Sequence, residues 1–138
     1  MYAYKLGDYQ RCLQLSIQNV HTLWYAKRMT GVYTYPVFIQ LLDDDIVSLT
    51  ALTLIVDPKC RDHCDHSHNN HISQLTLSLY LMTQCQLKLR HSVTSLVQTL
   101  DYIEVAQRGR ETSRTLDQLT LKLAERKVVT HLSALLSP

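Results

Sequence analysis

The residues with the most obvious chemical capacity lie in KCRDHCDHSHNNH, positions 59 to 71, which holds two cysteines and four histidines. Thiolate and neutral imidazole are good zinc ligands. Cys60 and Cys64, followed by His66, His68 and His71, supply enough donors to close a tetrahedron. The spacing argues the other way. Zinc fingers separate their two ligand pairs by a dozen or more residues, so that a small fold forms between them. Here every donor falls within one short stretch that contains no glycine turn. The segment from 57 to 71 is therefore expected to be a polar loop that nothing packs against, and no metal ligand is assigned in it.

Asp43, Asp44 and Asp45 are the second candidate, since paired carboxylates hold magnesium in phosphoryl- and nucleotidyl-transfer sites. Such sites present their carboxylates from a rigid strand behind a phosphate-binding glycine–serine turn. The residues before this triplet are Gln40-Leu41-Leu42, and an apolar helical pattern comes after it. Acidic residues at the start of a helix cap free amides and complement the dipole, which is the reading adopted. Three scattered glycines make no phosphate loop, nucleophile elbow or dinucleotide fingerprint. No catalytic, cofactor-binding or metal residue is assigned; the chain is expected not to be an enzyme and to need no cofactor.

The elements that would position any site are read from pattern. The chain has 138 residues, 46% hydrophobic and 19% charged, which bounds it to one soluble-type domain over 1–138 with a real core. Three glycines and three prolines leave few breaks, so long helices are favoured over many strands. A formal charge of +2 does not point to nucleic acid or an anionic membrane. Arg108, Arg110, Arg114, Lys122, Arg126 and Lys127 make the C-terminal third locally basic, but Glu111, Asp117 and Glu125 dilute them to a solvated helix face. The most apolar run, IVSLTALTLIV (46 to 56), is far short of the roughly 20 residues a bilayer requires. MYAYKLGDYQ has no signal-peptide pattern, so the expected setting is intracellular and cytoplasmic, with four reduced cysteines. Cys12 and Cys85 fall within apolar helical patterns, where a thiol acts as a small buried hydrophobe.

Helix periodicity predicts about five antiparallel helices in an all-α bundle. The first spans about Asp8 to Lys27, with Leu13, Ile17, Val20 and Trp24 on one face and Gln10, Gln14 and Gln18 toward water. Gly7 is free to turn with positive φ, and Asp8 caps this first helix. Residues 30–36 form a connector in which Val32, Tyr33 and Tyr35 pack as an extended segment. The 46–56 helix is apolar nearly all round and is expected to be central, with Ile46, Leu49, Thr53 and Val56 on one face. Residues 72–90 are ambiguous: Leu75 to Leu81 alternates like a strand, yet the apolar pattern continues unbroken to Leu89, and a helix is chosen. Ser92 caps a helix over 93–107 whose stripe is Leu96, Leu100, Ile103 and Ala106 or Gln107. Thr115 caps the last, with Leu116, Leu119, Leu123, Val128, Leu132 and Leu135 inward.

A weak internal repeat is present. The shift that carries Leu6 onto Leu89 also carries Cys12, Leu13, Ser16, Ile17 and Val20 onto Ser95, Leu96, Thr99, Leu100 and Ile103, small on small and aliphatic on aliphatic. YKLGDYQRCLQLSI resembles the hairpin turn and second helix of a tetratricopeptide repeat, with Gly7, Tyr9 and Cys12 at the turn, aromatic and small positions. Longer runs resemble a second pattern: YTYPVFIQLLDDDIVSLTALTLIVDPKCR, ISQLTLSLYLMTQCQLKLRHSV, and SLVQTLDYIEVAQR with TLDQLTLKLAERKVVTHL after it. Together, from about Tyr4 to Leu132, they resemble the C-terminal helical tail of animal proteins with a Mab (male-abnormal) type nucleotidyltransferase domain, kin of cyclic GMP-AMP synthase. The family's glycine–serine turn and acidic strand are absent from this sequence, and His63 to His71 reads as an insertion in the tail.

The resemblance implies a tetratricopeptide-like accessory tail, a fragment or stand-alone product without the transferase. It would act as a non-catalytic interaction or scaffold module for a protein or peptide partner, or for a neighbouring domain. The alternatives are a supporting segment of an innate-immune nucleotide sensor whose catalytic domain lies upstream, and a small zinc-binding protein. A tetratricopeptide-like helix short of its partner would also expose Leu13, Ile17 and Trp24 and invite self-association.

Overall fold

Leu6-Gly7-Asp8 forms the first turn as the glycine implies. A computed structural model describes residues 2–25, 33–34, 44–56, 72–109, 112 and 114–137 of the chain. In it a short helix α1 (Tyr2–Lys5) ends as Gly7 takes φ 76°, and α2 (Tyr9–Tyr25) begins two residues later. The Asp8 amide donates to the Ala3 carbonyl at 2.9 Å and the Gly7 amide to Tyr4 at 3.1 Å. These two bonds make a Schellman motif, which satisfies carbonyls that the helix end would leave orphaned. Asp8 accepts from the Arg11 amide at 3.2 Å, capping α2 as expected.

Four more helices and one small ladder complete the described residues: β1 (Tyr33–Thr34), α3 (Asp44–Val56), β2 (Ile72–Ser73), α4 (Gln74–Lys88), α5 (Val93–Arg108) and α6 (Thr115–Leu136). Among the described residues the fold is all-α apart from β1 and β2, which pair antiparallel with Tyr33 opposite Ser73 and Thr34 opposite Ile72. The extended reading of Tyr33 is thus realised, while Val32 and Tyr35 lie outside the described residues. The ladder also trims the helix chosen for 72–90, which begins at Gln74 with Ser73 as its cap. The Ser73 hydroxyl accepts from the Thr76 amide at 3.1 Å.

The expected centre is displaced. The apolar 46–56 helix, α3, packs on α6 along Ile46, Leu49, Thr50 and Thr53; its opposite face is open, with Ile55 66% exposed, and Val56, expected on the packed face, is 58% exposed at the helix end. The centre is α4, which contacts α2, α5 and α6 and buries every residue from Thr76 to Thr83. That burial explains the sequence ambiguity. A helix enclosed on all sides has no polar face to set a 3.6-residue rhythm, so its leucines alternate freely with Thr76, Ser78 and Tyr80. Small hydroxyls are tolerated there because they bond to their own helix; Thr83 donates to the Leu79 carbonyl at 2.9 Å.

α5 keeps its predicted stripe, with Leu96, Ile103 and Ala106 buried, and Ser92 caps it by accepting from the Ser95 amide. α6 departs from its expected face. Its buried stripe is Leu116, Asp117, Thr120, Leu121, Ala124 and Val128, whereas Leu135 is 55% exposed. Thr115 is its first residue, not its cap; Arg114 occupies the cap position and makes no side-chain capping bond there. Leu13 is 2% exposed, and Trp24 meets the Tyr102 ring edge-on at 5.0 Å, so the α2 face expected to lie open is covered.

The internal repeat has a structural counterpart. α4 also ends in a Schellman motif: the His91 amide donates to Gln86 at 3.0 Å and the Arg90 amide to Leu87 at 3.3 Å. Arg90 takes φ 53°, the left-handed conformation that Gly7 takes in the first hairpin. The shift that maps Leu6 onto Leu89 therefore relates two helix–turn–helix units. Buried Leu13, Ser16 and Val20 match buried Leu96, Thr99 and Ile103. The two turns differ in strain. A side chain in the left-handed region costs about 1 kcal/mol relative to glycine, so Gly7→Ala is expected to lose about that much stability and Arg90→Gly to gain up to a similar amount. Urea denaturation of both variants checks the opposite signs.

Candidate functional site

α4 and α6 cross so that the C-terminal half of α6 leaves a groove beside the end of α4. One stripe of α6 supplies Leu123, Arg126, Lys127, Thr130, His131 and Ala134, and α4 supplies Leu87, around a volume of about 510 Å³. The spacing of three and four residues along α6 puts these groups on one helix face. Leu87, Leu123 and Ala134 give an apolar surface, and the nitrogen-bearing side chains stand along it. Sequence reasoning read Arg126 and Lys127 as part of a solvated face; the groove becomes visible only once α4 is placed beside them.

Lys127 is the best-held group of the site. Its Nζ lies 2.5 Å from Asp45 Oδ2 on α3, 3.2 Å from Gln84 Oε1 on α4, and 5.7 Å from the centroid of the Tyr80 ring. Tyr80 is fully buried, and its hydroxyl accepts from Gln84 Nε2 at 2.9 Å. Lys127 thus ties three helices together, so its charge is largely answered within the protein. Arg126 differs: it is exposed and has no ion-pair partner among the described residues. Arg126 thus gives the edge of the groove an uncompensated positive charge, with the His131 imidazole on the same face.

Asp44 and Asp45 form the first turn of α3, which fits the helix-start reading of the triplet; Asp43 lies outside the described residues. Asp45 also has a role that the sequence did not reveal, as the partner of Lys127. Cys60, Cys64, His66, His68 and His71 lie outside the described residues, as does the expected loop at 57–71. Among the described residues no cluster of three or more histidine, cysteine or acidic side chains is arranged to hold a metal. Likewise, no described helix is long and apolar enough to cross a membrane.

A polar centre that sequence reasoning missed lies where α6 meets the start of α4. Asp117, fully buried, accepts from the Ser73 amide at 2.8 Å through Oδ1, while Oδ2 has no hydrogen-bond partner among the described residues. Burial pushes its carboxyl above the ordinary value, against the opposing pull of the Ser73 amide and the nearby Thr76 and Ser73 hydroxyls. Its position, three residues into α6, had looked like a surface charge near a helix start. A second cleft, about 480 Å³ between α5 and α6, carries Asp101, Glu104, Glu125 and Arg108. Its charges are partly spent internally: Arg108 pairs with Glu104 at 2.5 Å, and Gln107 donates to Glu125 at 2.9 Å.

Comparison with family models, with curated proteins and with solved structures finds no match for this chain.

Proposed function

We propose that this chain is a non-catalytic docking module, a tetratricopeptide-like helical repeat acting as the accessory region of a Mab-type nucleotidyltransferase-like protein. Its α4–α6 groove takes an acidic, amphipathic helix from a protein partner. The observation that carries the docking reading is the groove itself: an apolar surface of Leu87, Leu123 and Ala134, edged by His131 and by Arg126, whose charge no described residue answers. Apolar anchors at helical spacing would fill the groove, and a glutamate on the same ligand would meet Arg126. The repeat reading is supported by two Schellman turns in register with matching burial on either side. The accessory-region reading draws on the resemblance of the long runs between Tyr4 and Leu132.

The test uses a synthetic helical peptide with leucines at every third and fourth position and glutamates beside them, and a twin carrying lysines instead. Nuclear magnetic resonance titration of the whole chain is expected to shift Leu87, Leu123, Thr130 and Ala134 with the glutamate peptide alone. Arg126→Glu should weaken that binding about tenfold, the loss of one charge-assisted contact of about 1.5 kcal/mol. Added salt should weaken the parent complex more than the variant's. Equal shifts with both peptides, or shifts elsewhere, overturn the groove assignment. A concentration-dependent dimer abolished by Arg126→Glu would give the groove to a second copy of this chain and overturn the peptide reading.

A further inference from the structure

A third cleft opens between α1, α2 and the first half of α4 and encloses about 370 Å³, sharing no lining residue with the α4–α6 groove. Two of its walls are helix faces with the same spacing. Cys12, buried as its helical pattern implied, lines it with Leu15, Ser16 and Asn19 at the next steps of three and four along α2. Gln74, Leu77, Ser78 and Leu81 repeat that spacing along α4. Each face has a serine in its middle, and these two short side chains leave room that a pair of leucines would have closed.

The cleft is also where the hydrogen bonding of the bundle runs out. Thr50, Thr53, Thr83, Thr99 and Thr120 each donate to the carbonyl four residues earlier, at 2.7 to 3.0 Å. Ser78, only 5% exposed, departs from that pattern: its hydroxyl has neither this bond nor any other among the described residues. The carboxamides show the same contrast. Gln84 and Gln86 on α4 engage Tyr80 and Thr99, whereas the side chains of Gln74 and Asn19 have no hydrogen-bond partner among the described residues. A buried hydroxyl without a partner is unfavourable unless something entering the cleft supplies one.

We propose that this cleft binds a neutral small molecule carrying an amide on a short aliphatic body. No carboxylate, ammonium, guanidinium or imidazole lines it, so a charged ligand would lose its hydration with nothing to replace it. Asn19 and Gln74 each present an N–H donor beside a carbonyl acceptor, and a second amide answers both kinds of group at once. Ser16 and Ser78, both buried, place two further hydroxyls deeper in the cleft, while Leu15, Leu77 and Leu81 face the aliphatic part. The volume falls at the lower end of the roughly 300–1,000 Å³ typical of small-molecule sites. A docked helix suits the cleft less well, because its backbone amides are already bonded to one another and offer the buried hydroxyls nothing.

The test titrates the full chain with hexanamide, and with hexanoate as a charged twin of equal length, followed by nuclear magnetic resonance. Hexanamide is expected to shift Ser16, Leu77, Ser78 and Leu81 saturably, with a Kd on the order of 1 mM, the scale for so small a ligand. Hexanoate should bind about tenfold more weakly, since it brings an unanswered charge and no donor. Ser78→Ala should weaken hexanamide about fivefold by removing one hydrogen bond. It should leave the urea midpoint unchanged or raised, because the hydroxyl bonds nothing in the fold and alanine is the better helix former. Asn19→Ala, at an exposed position, should weaken binding to a similar degree with the fold intact. Equal binding of the two probes, no saturable shift up to the solubility of hexanamide, or shifts confined to other residues overturns the proposal. So does a Ser78→Ala protein that loses stability yet binds hexanamide as the parent does, since that serine would then serve packing alone.

Discussion

Leu79→Ala is expected to lower the unfolding free energy by about 3 kcal/mol, whereas Ile55→Ala should change it by less than about 0.5 kcal/mol. Leu79 is fully buried on α4, the helix that α2, α5 and α6 surround. Removing its isobutyl group loses the transfer free energy of the buried methyl and methylene groups and leaves a cavity that four helices in contact cannot close. Ile55 is 66% exposed on α3. There alanine removes few packed atoms and is the better helix former. From composition alone the order of the two effects would be reversed, because the 46–56 run is the more apolar stretch. Urea unfolding of both variants, with unchanged m-values, measures the contrast directly. Equal losses would place α3 in the core.

The second large effect falls on Asp117. Its Oδ1 is the acceptor for the buried Ser73 amide, so Asp117→Ala strands that donor and is expected to cost about 2 kcal/mol at neutral pH. Asp117→Asn keeps an acceptor oxygen in place and should lose less. The pH dependence separates charge from geometry. Burial raises the folded-state pKa above the ordinary 3.8, so the folded protein holds this proton more tightly than the unfolded chain. Between 3.8 and the raised value, the folded state binds more protons, and stability from this group falls as pH rises through that window, then levels off. The parent protein should therefore gain on Asp117→Asn as the solution is acidified through the window, and the variant's own profile should be flatter there. Unfolding curves at a series of pH values check it. Parallel profiles for the two proteins would mean that the carboxyl does not titrate abnormally.

Much of the helical layout was legible in the residues. Gly7 and Asp8 marked a turn because one needs positive φ and the other can cap; Ser92 was found the same way. These are local signals, set within three or four residues, and the structure realises them. The stripe of α5 was readable because that helix has one dry face and one wet one. The hierarchy among helices was not readable. α3 and α4 are both rich in leucine, and only contact with α2, α5 and α6 decides which is enclosed. Asp117 was missed for a related reason: a buried acid near a helix start looks the same in sequence as an exposed one, and its partner Ser73 is distant along the chain. The groove shares this origin. Arg126 and Lys127 adjoin in sequence, yet Asp45 engages one and leaves the other open, a difference made by α3.

The bond between Asp117 and Ser73 has a further effect on how the chain is tethered. α6 grips the polypeptide at two places: at α3, through packing and the Lys127–Asp45 pair, and at Ser73, through the Asp117 carboxylate. α3 and β2 are thus moored to the same rod, so a substitution that loosens α6 would free both together and show as lost order at two points far apart in sequence.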